Sequence, residues 1–216
     1  MTTIAIDGPG GAGKSTLGRA LALRLGLESL DTGAMYRAVA LLAARRGIAP
    51  ADGVALGELT RSMVLEVGPS VVLGGEDVTD AIRGEDIDAV VSEVARHPEV
   101  RSELVRRQQD WVHERGGGVV EGRDIGTVVL PDADLKIYLT ASEEVRAGRR
   151  AGERAVAHGA LEVEKARQSI DRRDHLDSTR ATAPLLAAPD AAVIDSTTFT
   201  PDELVELALR LLAERS

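Results

Sequence analysis

The stretch GPGGAGKS, residues 8–15, constrains this chain of 216 residues more than any other. It lies between an apolar run at 3–7, which predicts a strand, and leucines at helical spacing at 15–26, which predict a helix. The eight residues fit the pattern G-x-x-x-x-G-K-[ST], in which glycine lets consecutive backbone N–H groups turn inward toward an anion. The N-terminus of the helix adds N–H groups and a positive dipole. The stretch therefore predicts a phosphate-binding loop.

The lysine and the hydroxyl at the end of this loop indicate that the phosphates belong to a nucleotide. Lys14 is expected to reach the β- and γ-phosphates as a compact charge, and the hydroxyl of Ser15 is expected to bind Mg²⁺. A glycine-rich turn with no ligand would give no reason for these two residues. The predicted phosphate contacts are Gly8, Gly10, Gly11, Ala12, Gly13, Lys14, Ser15 and Thr16.

Two other classes of protein share part of this pattern. Gly8, Gly10 and Gly13 also satisfy G-x-G-x-x-G, and Asp31 lies where a dinucleotide site would place its ribose-binding carboxylate. An NAD-dependent oxidoreductase is the weaker interpretation, because that site has no use for a lysine and a hydroxyl in the first helical turn. A GTPase is also disfavoured, since none of the three lysines follows Asn or Thr in a guanine-reading [NT]-K-x-D string.

Apolar runs that predict strands alternate with helical patterns along most of the chain. Further strands are expected at 28–30, 117–122, 134–140 and 191–196, and further helices at 34–47 and after a capping box formed by Thr200 and Glu203. This alternation predicts an α/β fold with a mostly parallel sheet covered by helices on both faces.

Two regions that interrupt this alternation predict insertions in a single domain covering 1–216. The first, at about 48–98, contains the runs SMVLEV and SVVLGGEDVT, which predict two short strands or a hairpin. Two helices split at Pro98 are expected around its end. The second insertion, at about 147–162, is compatible with a helix but is rich in arginine and has little apolar stripe.

Composition argues against several classes of partner and site. The formal net charge of −9 disfavours a nucleic-acid partner, because such binding depends on a basic surface. The absence of cysteine excludes disulfides and cysteine-ligated metals, and the four histidines show no metal-ligand spacing. No apolar run approaches the length of a membrane span. We therefore expect a cytoplasmic protein without a membrane partner and, in the absence of a long heptad pattern, a monomer.

Polar residues follow two of the predicted strands, at the edge where open α/β sheets bind their ligands. DTGAMYR at 31–37 places Tyr36 and Arg37 there, and EGRDIG at 121–126 places Arg123 and Asp124. A half-buried helical tyrosine and a structural arginine–aspartate pair are the alternatives. Together these residues predict a second ligand, which is also anionic.

Six segments, in this order, carry a resemblance to a known family: IDGPGGAGKST, LDTGAMYR, VSEVARHPEVR, EGRDIGTVVLPDADLKIYLTAS, SIDRRDHLDSTRATAPL and DAAVIDSTT. The chain resembles the bacterial cytidylate kinases over nearly its whole length. The resemblance implies transfer of the γ-phosphoryl group of ATP to CMP or dCMP, which yields ADP and CDP or dCDP. It also implies that the insertion at about 48–98 binds the monophosphate and that about 147–162 forms a mobile lid.

The same resemblance implies roles for individual residues. The expected catalytic residues are Lys14, Arg123, Arg173 and Arg180. The expected contacts with CMP are Thr32, Tyr36, Arg37, Ser92, Arg101, Arg123, Asp124, Asp177 and Arg180. Among these, the resemblance implies that Arg37 and Arg123 bind the acceptor phosphate and that Asp177 lies near the sugar hydroxyls. The lid arginines, which would close on the ATP phosphates, are Arg149, Arg150 and Arg154.

The chemistry of the base agrees with three further contacts, Ser92, Arg101 and Asp124. Cytosine offers an amino donor and two acceptors, which a carboxylate and a cation or hydroxyl can bind. Uracil has a carbonyl in place of the amino group, which a carboxylate would repel, so a preference for cytosine is expected. Two alternatives stay open: another P-loop small-molecule kinase, such as a shikimate kinase, and a P-loop sensor that binds ATP without transferring its phosphoryl group.

Overall fold

The computed structural model describes residues 2–153, 160–179 and 183–215. In chain order the elements are β1 (Thr2–Asp7), α1 (Lys14–Leu25), β2 (Ser29–Asp31), α2 (Thr32–Arg45), α3 (Gly53–Ser62), β3 (Leu65–Val67), β4 (Val71–Leu73), β5 (Glu76–Asp77), α4 (Glu85–Val94), α5 (Pro98–Arg115), β6 (Gly117–Gly122), β7 (Leu135–Thr140), α6 (Glu143–Glu153), α7 (Ala160–Thr179), β8 (Ala192–Asp195) and α8 (Pro201–Ala213). A 3₁₀ turn covers Ala81–Arg83 and a π-helix covers Ile125–Val129.

The chain divides into two compact units. Residues 1–29 together with 115–216 form the first unit, and residues 30–114 form the second. The insertion predicted at 48–98 falls inside the second unit, and the predicted lid includes 154–159, which lie outside the described residues. The single domain with its insertion and lid stays a prediction. Across the described residues, no helix combines the length and the apolar character needed to cross a membrane.

A five-stranded sheet forms the centre of the first unit. Its strand order is β2-β6-β1-β7-β8, and parallel pairing joins β1 to β6, β1 to β7 and β7 to β8. Ile4 and Ile6 of the central strand are fully buried and pack with leucines of α1 and with apolar residues of α8. The predicted mostly parallel sheet with flanking helices is confirmed, because buried strands of this kind need helices to cover their apolar side chains.

The ends of the helices in this unit follow from local sequence. Gly26 takes a φ of 66°, and its backbone N–H donates to the carbonyls of Ala22 and Leu23, so α1 stops where the glycine predicts. Thr200 and Glu203 form a complete capping box at the start of α8, with Pro201 in its first turn. The π-helix Ile125–Val129 has no counterpart in the sequence pattern and was not predicted.

The second unit combines helices with a small antiparallel sheet of order β3-β4-β5. The runs SMVLEV and SVVLGGEDVT, which predict two short strands or a hairpin, form three strands, two of them in the second run. Gly74 and Gly75 have φ values of 59° and 86°, which makes a two-residue turn that pairs Leu73 with Glu76. Helix α3 was also missed, because its two glycines weaken the helical pattern. Its start is capped by Asp52, whose carboxylate accepts from the N–H of Ala55 at 3.0 Å.

Candidate functional site

The loop between β1 and α1 needs glycine for two different reasons. Gly8, Gly11 and Gly13 have φ values of 144°, 74° and 97°, which side chains rarely adopt. A Cβ atom on Gly8 would lie 2.0 Å from the carbonyl oxygen of Leu139, and one on Gly11 would lie 2.6 Å from that of Arg146. The backbone is therefore packed too tightly for larger residues, as the predicted phosphate-binding shape requires.

The N-terminus of α1 has the properties of an anion site. Gly13 is its N-cap and offers no capping side chain, and no acidic residue lies in the first turn of this described helix. Lys14 is only 7% exposed, and its Nζ donates to the carbonyl of Pro9 at 2.9 Å, so its charge lies over the loop. Ser15 and Thr16 follow in the same turn. A nucleotide phosphate fits this donor set, because backbone N–H groups and an ammonium converge on it.

Arg149 and Ser196 form hydrogen bonds with the loop backbone and with each other. Arg149 donates to the Ala12 carbonyl at 3.2 Å and to the hydroxyl and carbonyl oxygens of Ser196, both at 2.9 Å. Ser196, which is fully buried, donates from its hydroxyl to the Ala12 carbonyl at 2.9 Å. The sequence analysis named Arg149 but missed Ser196. The signal was available, since Ser196 follows β8 directly at the carboxyl end of the sheet.

Arg146 and Asp174 form a second contact with the loop, and the sequence analysis assigned a role to neither. Arg146 donates to the Gly10 carbonyl at 3.2 Å and to Asp174 at 2.5 Å. The other carboxylate oxygen of Asp174 accepts from the backbone N–H of Gly10 at 3.0 Å. Arg146 lies one helical turn before Arg149, so both arginines project from one face of α6. That spacing was a signal for Arg146.

Arg123 and Asp177, both predicted site residues, are brought together. The Nε of Arg123 donates to Asp177 at 3.1 Å, and both side chains are largely buried. Burial acts to lower the pKa of Arg123, but Asp177, Asp174 and Glu121 outweigh it and hold the pKa above its usual value. Arg123 is therefore a fixed cation in a group of carboxylates.

Asp7, at the end of β1, holds the segment that carries Asp124. Its two carboxylate oxygens accept from the backbone N–H groups of Ile125 and Gly126, each at 2.7 Å. Burial, together with the nearby charge of Asp124, raises the pKa of Asp7 to about 6 against the opposing effects of these two donors and of Lys14. Asp124 itself is 5% exposed. The sequence analysis gave Asp7 no role, because its partners lie far along the chain.

All five CMP contacts predicted within the second unit have buried side chains. Arg101 donates to the Tyr36 hydroxyl at 3.2 Å, and its Cζ lies 5.9 Å from the centre of that ring. Arg37 donates to Asp88 at 2.5 Å and to the Ile82 carbonyl at 3.1 Å. The hydroxyl of Ser92 is buried and has no hydrogen-bond partner. The fifth residue, Thr32, begins α2 and is also buried.

Asp31, which supported the dinucleotide interpretation, has a structural task. It is the N-cap of α2, and its carboxylate accepts from the N–H of Ala34 at 3.1 Å. A ring nitrogen of His97 lies 2.8 Å from the Pro50 carbonyl, a contact that fits a structural role for this histidine. Arg150, one of the predicted lid arginines, follows Arg149 in α6. Arg154 and Arg180 lie outside the described residues, as does the side chain of Arg173.

Comparison with known proteins shows the family of this chain. The family model described as cytidylate kinase matches residues 4–214. The chain is 47% identical to the cytidylate kinase of Mycolicibacterium paratuberculosis, over 99% of this chain and 96% of that protein. It is 48% identical to that of Geobacillus kaustophilus, over 99% and 97%. A solved structure of an uncharacterized protein from Eubacterium ventriosum has a TM-score of 0.54 at 11% identity, over 99% and 98%, which bears on the fold alone. The chain belongs to the cytidylate kinase family.

Proposed function

We propose that this chain transfers the γ-phosphoryl group of ATP to CMP or dCMP, which yields ADP and CDP or dCDP. The observation that carries the proposal is the loop at Gly8–Ser15, whose N–H groups and Lys14 form an anion site in a member of this family. A sensor that only binds ATP would have no need of a second set of cations. Arg37 and Arg123 supply such a set, one in each unit.

The donor phosphates would be held by residues of the first unit. The N–H groups of the loop and the N-terminus of α1 bind oxygens, and Lys14 turns from the Pro9 carbonyl to the β- and γ-phosphates. Ser15 would hold Mg²⁺, which when bound neutralises charge on the triphosphate. We assign Arg149 and Arg150 to the ATP phosphates as well, with Arg149 acting from beside Gly13.

Several of the side chains that would hold the acceptor are already held in place by hydrogen bonds within the protein. In the second unit, Arg37 is assigned to the phosphate, and Arg101 and Ser92 to the base, with Thr32 and Tyr36 beside them. The family resemblance assigns Arg123, Asp124, Asp177 and Arg180 to the same nucleotide. Holding Arg37 and Arg101 in place before the nucleotide binds lowers the entropy lost on binding.

Transfer needs no covalent intermediate with the protein. The transition state is loose, so the protein acts mainly by alignment and by neutralising charge on the phosphoryl oxygens. We assign Lys14, Arg123, Arg173 and Arg180 to that task. The pKa of Arg123 is raised, so it stays charged at any pH at which the enzyme works.

The assigned base contacts favour cytosine over uracil. The carboxylate of Asp124 would accept from the cytosine amino group, and the buried Ser92 hydroxyl can serve one of the base acceptors. With uracil the carboxylate would face a carbonyl oxygen. A buried polar group left without its partner costs about 1–3 kcal/mol, which corresponds to roughly tenfold to a hundredfold in affinity.

A panel of nucleoside monophosphates offered with Mg-ATP tests the function. We expect CMP and dCMP to accelerate ADP formation strongly, UMP at least roughly tenfold less by kcat/KM, and AMP, GMP and shikimate hardly at all. Equal use of UMP and CMP would refute the base assignment. Failure of every acceptor to accelerate ADP formation would refute the kinase itself and favour the sensor.

Several broader expectations stay part of this proposal. We propose that the chain acts as a monomer in the cytoplasm, with no nucleic-acid or membrane partner, and that 48–98 and 147–162 serve as the monophosphate-binding insertion and the lid. The net charge of −9 supports the expectation that nucleic acid is not a partner, since it disfavours adhesion to polyanions.

A further inference from the structure

Helix α7 presents one face to the phosphate-binding loop. Ile170, Asp174 and Asp177 follow at helical spacing along this face. The side chain of Ile170 lies 3.7 Å from the position of a Cβ on Gly10, and Asp174 accepts from the N–H of Gly10 itself. Asp177 holds Arg123. Asp174 and Asp177, two carboxylates of one helix, therefore accept hydrogen bonds from groups of the proposed nucleotide site. The proposed function assigns these groups to phosphates or places them close to phosphates.

The groups that donate to the Asp174 carboxylate are of the kind that bind phosphate oxygens. One carboxylate oxygen is on a backbone N–H of the loop, and the other is on a guanidinium. The guanidinium is itself fixed, because Arg146 also donates to the Gly10 carbonyl and is 8% exposed. Its Nε is buried and has no hydrogen-bond partner, so Arg146 has a further donor for an anion.

We propose that Asp174 is an internal anion that competes with the terminal phosphate of a bound nucleotide for the Gly10 N–H and Arg146. The inference rests on the proposed function only in taking this loop as the nucleotide site. A phosphate and a carboxylate cannot share these donors, because both are anionic and each needs the same positions. Nucleotide binding therefore displaces Asp174, and with it the contact of α7 with the loop.

This competition lowers the affinity of the loop for nucleotides. The apparent dissociation constant equals the intrinsic dissociation constant divided by the fraction of chains whose Gly10 N–H is released from Asp174. If the role of Asp174 were purely structural, its removal would have the opposite effect, because loss of this partly buried ion pair would loosen Arg146 and weaken binding. The direction of the change in affinity therefore distinguishes the two roles.

The test is calorimetric titration of Mg-ATP into the protein without an acceptor nucleotide. Asp174→Asn should bind Mg-ATP roughly tenfold more tightly than the wild type, because the competing charge is gone. Asp171→Asn is the matched control, since this residue is on the same helix, is exposed, and lies 4.0 Å from Arg146. It should bind as the wild type does. Asp174→Glu, which keeps the charge, should also stay close to the wild type.

An unchanged or weaker affinity in Asp174→Asn would overturn the inference, as would equal tightening in Asp174→Glu. A second measurement uses the wild-type chain alone, in case the variants fold poorly. The carboxyl ¹³C resonance of Asp174 should shift when inorganic tripolyphosphate saturates the loop, and that of Asp171 should not. An unshifted Asp174 would overturn the inference while CMP phosphorylation stays intact. Absence of ATP binding in every variant would reject the proposed function as well.

Discussion

At the scale of single residues, the cations assigned to phosphates are held by oxygens of the protein itself. Lys14 is held by the Pro9 carbonyl, Arg37 by Asp88, and Arg123 by Asp177. A buried charge without such a partner would be costly, so the fold supplies one. The partner also fixes the cation in position. The sequence motifs identified the cations and Asp177, but not the Pro9 carbonyl or Asp88, nor which oxygen holds which cation.

Lys14→Ala should lower kcat at least about a hundredfold, because a charge directed at the transferring group is lost. Steady-state rates with CMP and Mg-ATP measure this. The matched control is Arg24→Ala, which removes an exposed cation from the same helix and should keep the wild-type rate. A normal rate in Lys14→Ala, with an unchanged melting temperature, would remove its catalytic assignment.

Asp88→Asn should raise the KM for CMP roughly tenfold with kcat little changed, because Arg37 loses the charge that fixes its guanidinium. The free energy of unfolding should also fall by about 3 kcal/mol, since a buried arginine is left without its counter-charge. Asp86→Asn, an exposed change in the same helix, is the control for both measurements. A KM for ATP that rises instead would show that Arg37 does not serve the acceptor.

At the scale of elements, strands and helices whose signals lie in consecutive residues were predicted well. Elements whose pattern is interrupted by glycines, such as α3 and the pair β4 and β5, were not. The strand, loop and helix at residues 2–25 carry their signals in consecutive residues, and so does the capping box of α8. In the π-helix at Ile125–Val129, the N–H groups of Ile125 and Gly126 donate to the carboxylate of the distant Asp7. No sequence pattern within the π-helix predicts that contact.

Two glycines of the strand, loop and helix should respond in opposite directions to alanine. Gly8→Ala forces a Cβ against the Leu139 carbonyl, so we expect lost ATP binding and a free energy of unfolding lower by at least about 3 kcal/mol. Gly18→Ala places its methyl group 3.8 Å from Ile6 and Val119, an ordinary contact within α1. It should stabilise the chain by about 1 kcal/mol. Denaturant unfolding and ATP titration measure both, and equal effects would contradict the packing argument.

At the scale of the whole molecule, family membership covers nearly the entire chain, while the described structure consists of two units with separate sets of residues. The residues proposed to bind the ATP phosphates lie in the first unit, where the buried strand β1 lies between β6 and β7. Burying Asp7 at the end of this central strand makes the stability of the protein depend on pH.

The contribution of Asp7 to stability should fall as pH rises. Its pKa is raised in the folded state, from 3.8 to about 6, so the contribution is complete below pH 3.8 and is lost as pH passes about 6. The loss amounts to about 3 kcal/mol. The free energy of unfolding of the wild type minus that of Asp7→Asn should therefore decrease by this order between pH 4 and pH 7. A flat difference, or a carboxyl ¹³C titration of Asp7 near pH 4, would contradict it.

The sequence alone determined the order of most strands and helices, the phosphate-binding loop and the cations around it, because each depends on neighbouring residues or on short motifs. Tertiary structure alone decided which distant groups meet them. Asp88 reaches Arg37 across 51 residues, Asp174 reaches Gly10 across 164, and Ser196 reaches Ala12 across 184. Such contacts follow from strand order and helix packing, and no local spacing encodes them. These long-range contacts hold the residues that the motifs identify, and their charges, in fixed positions.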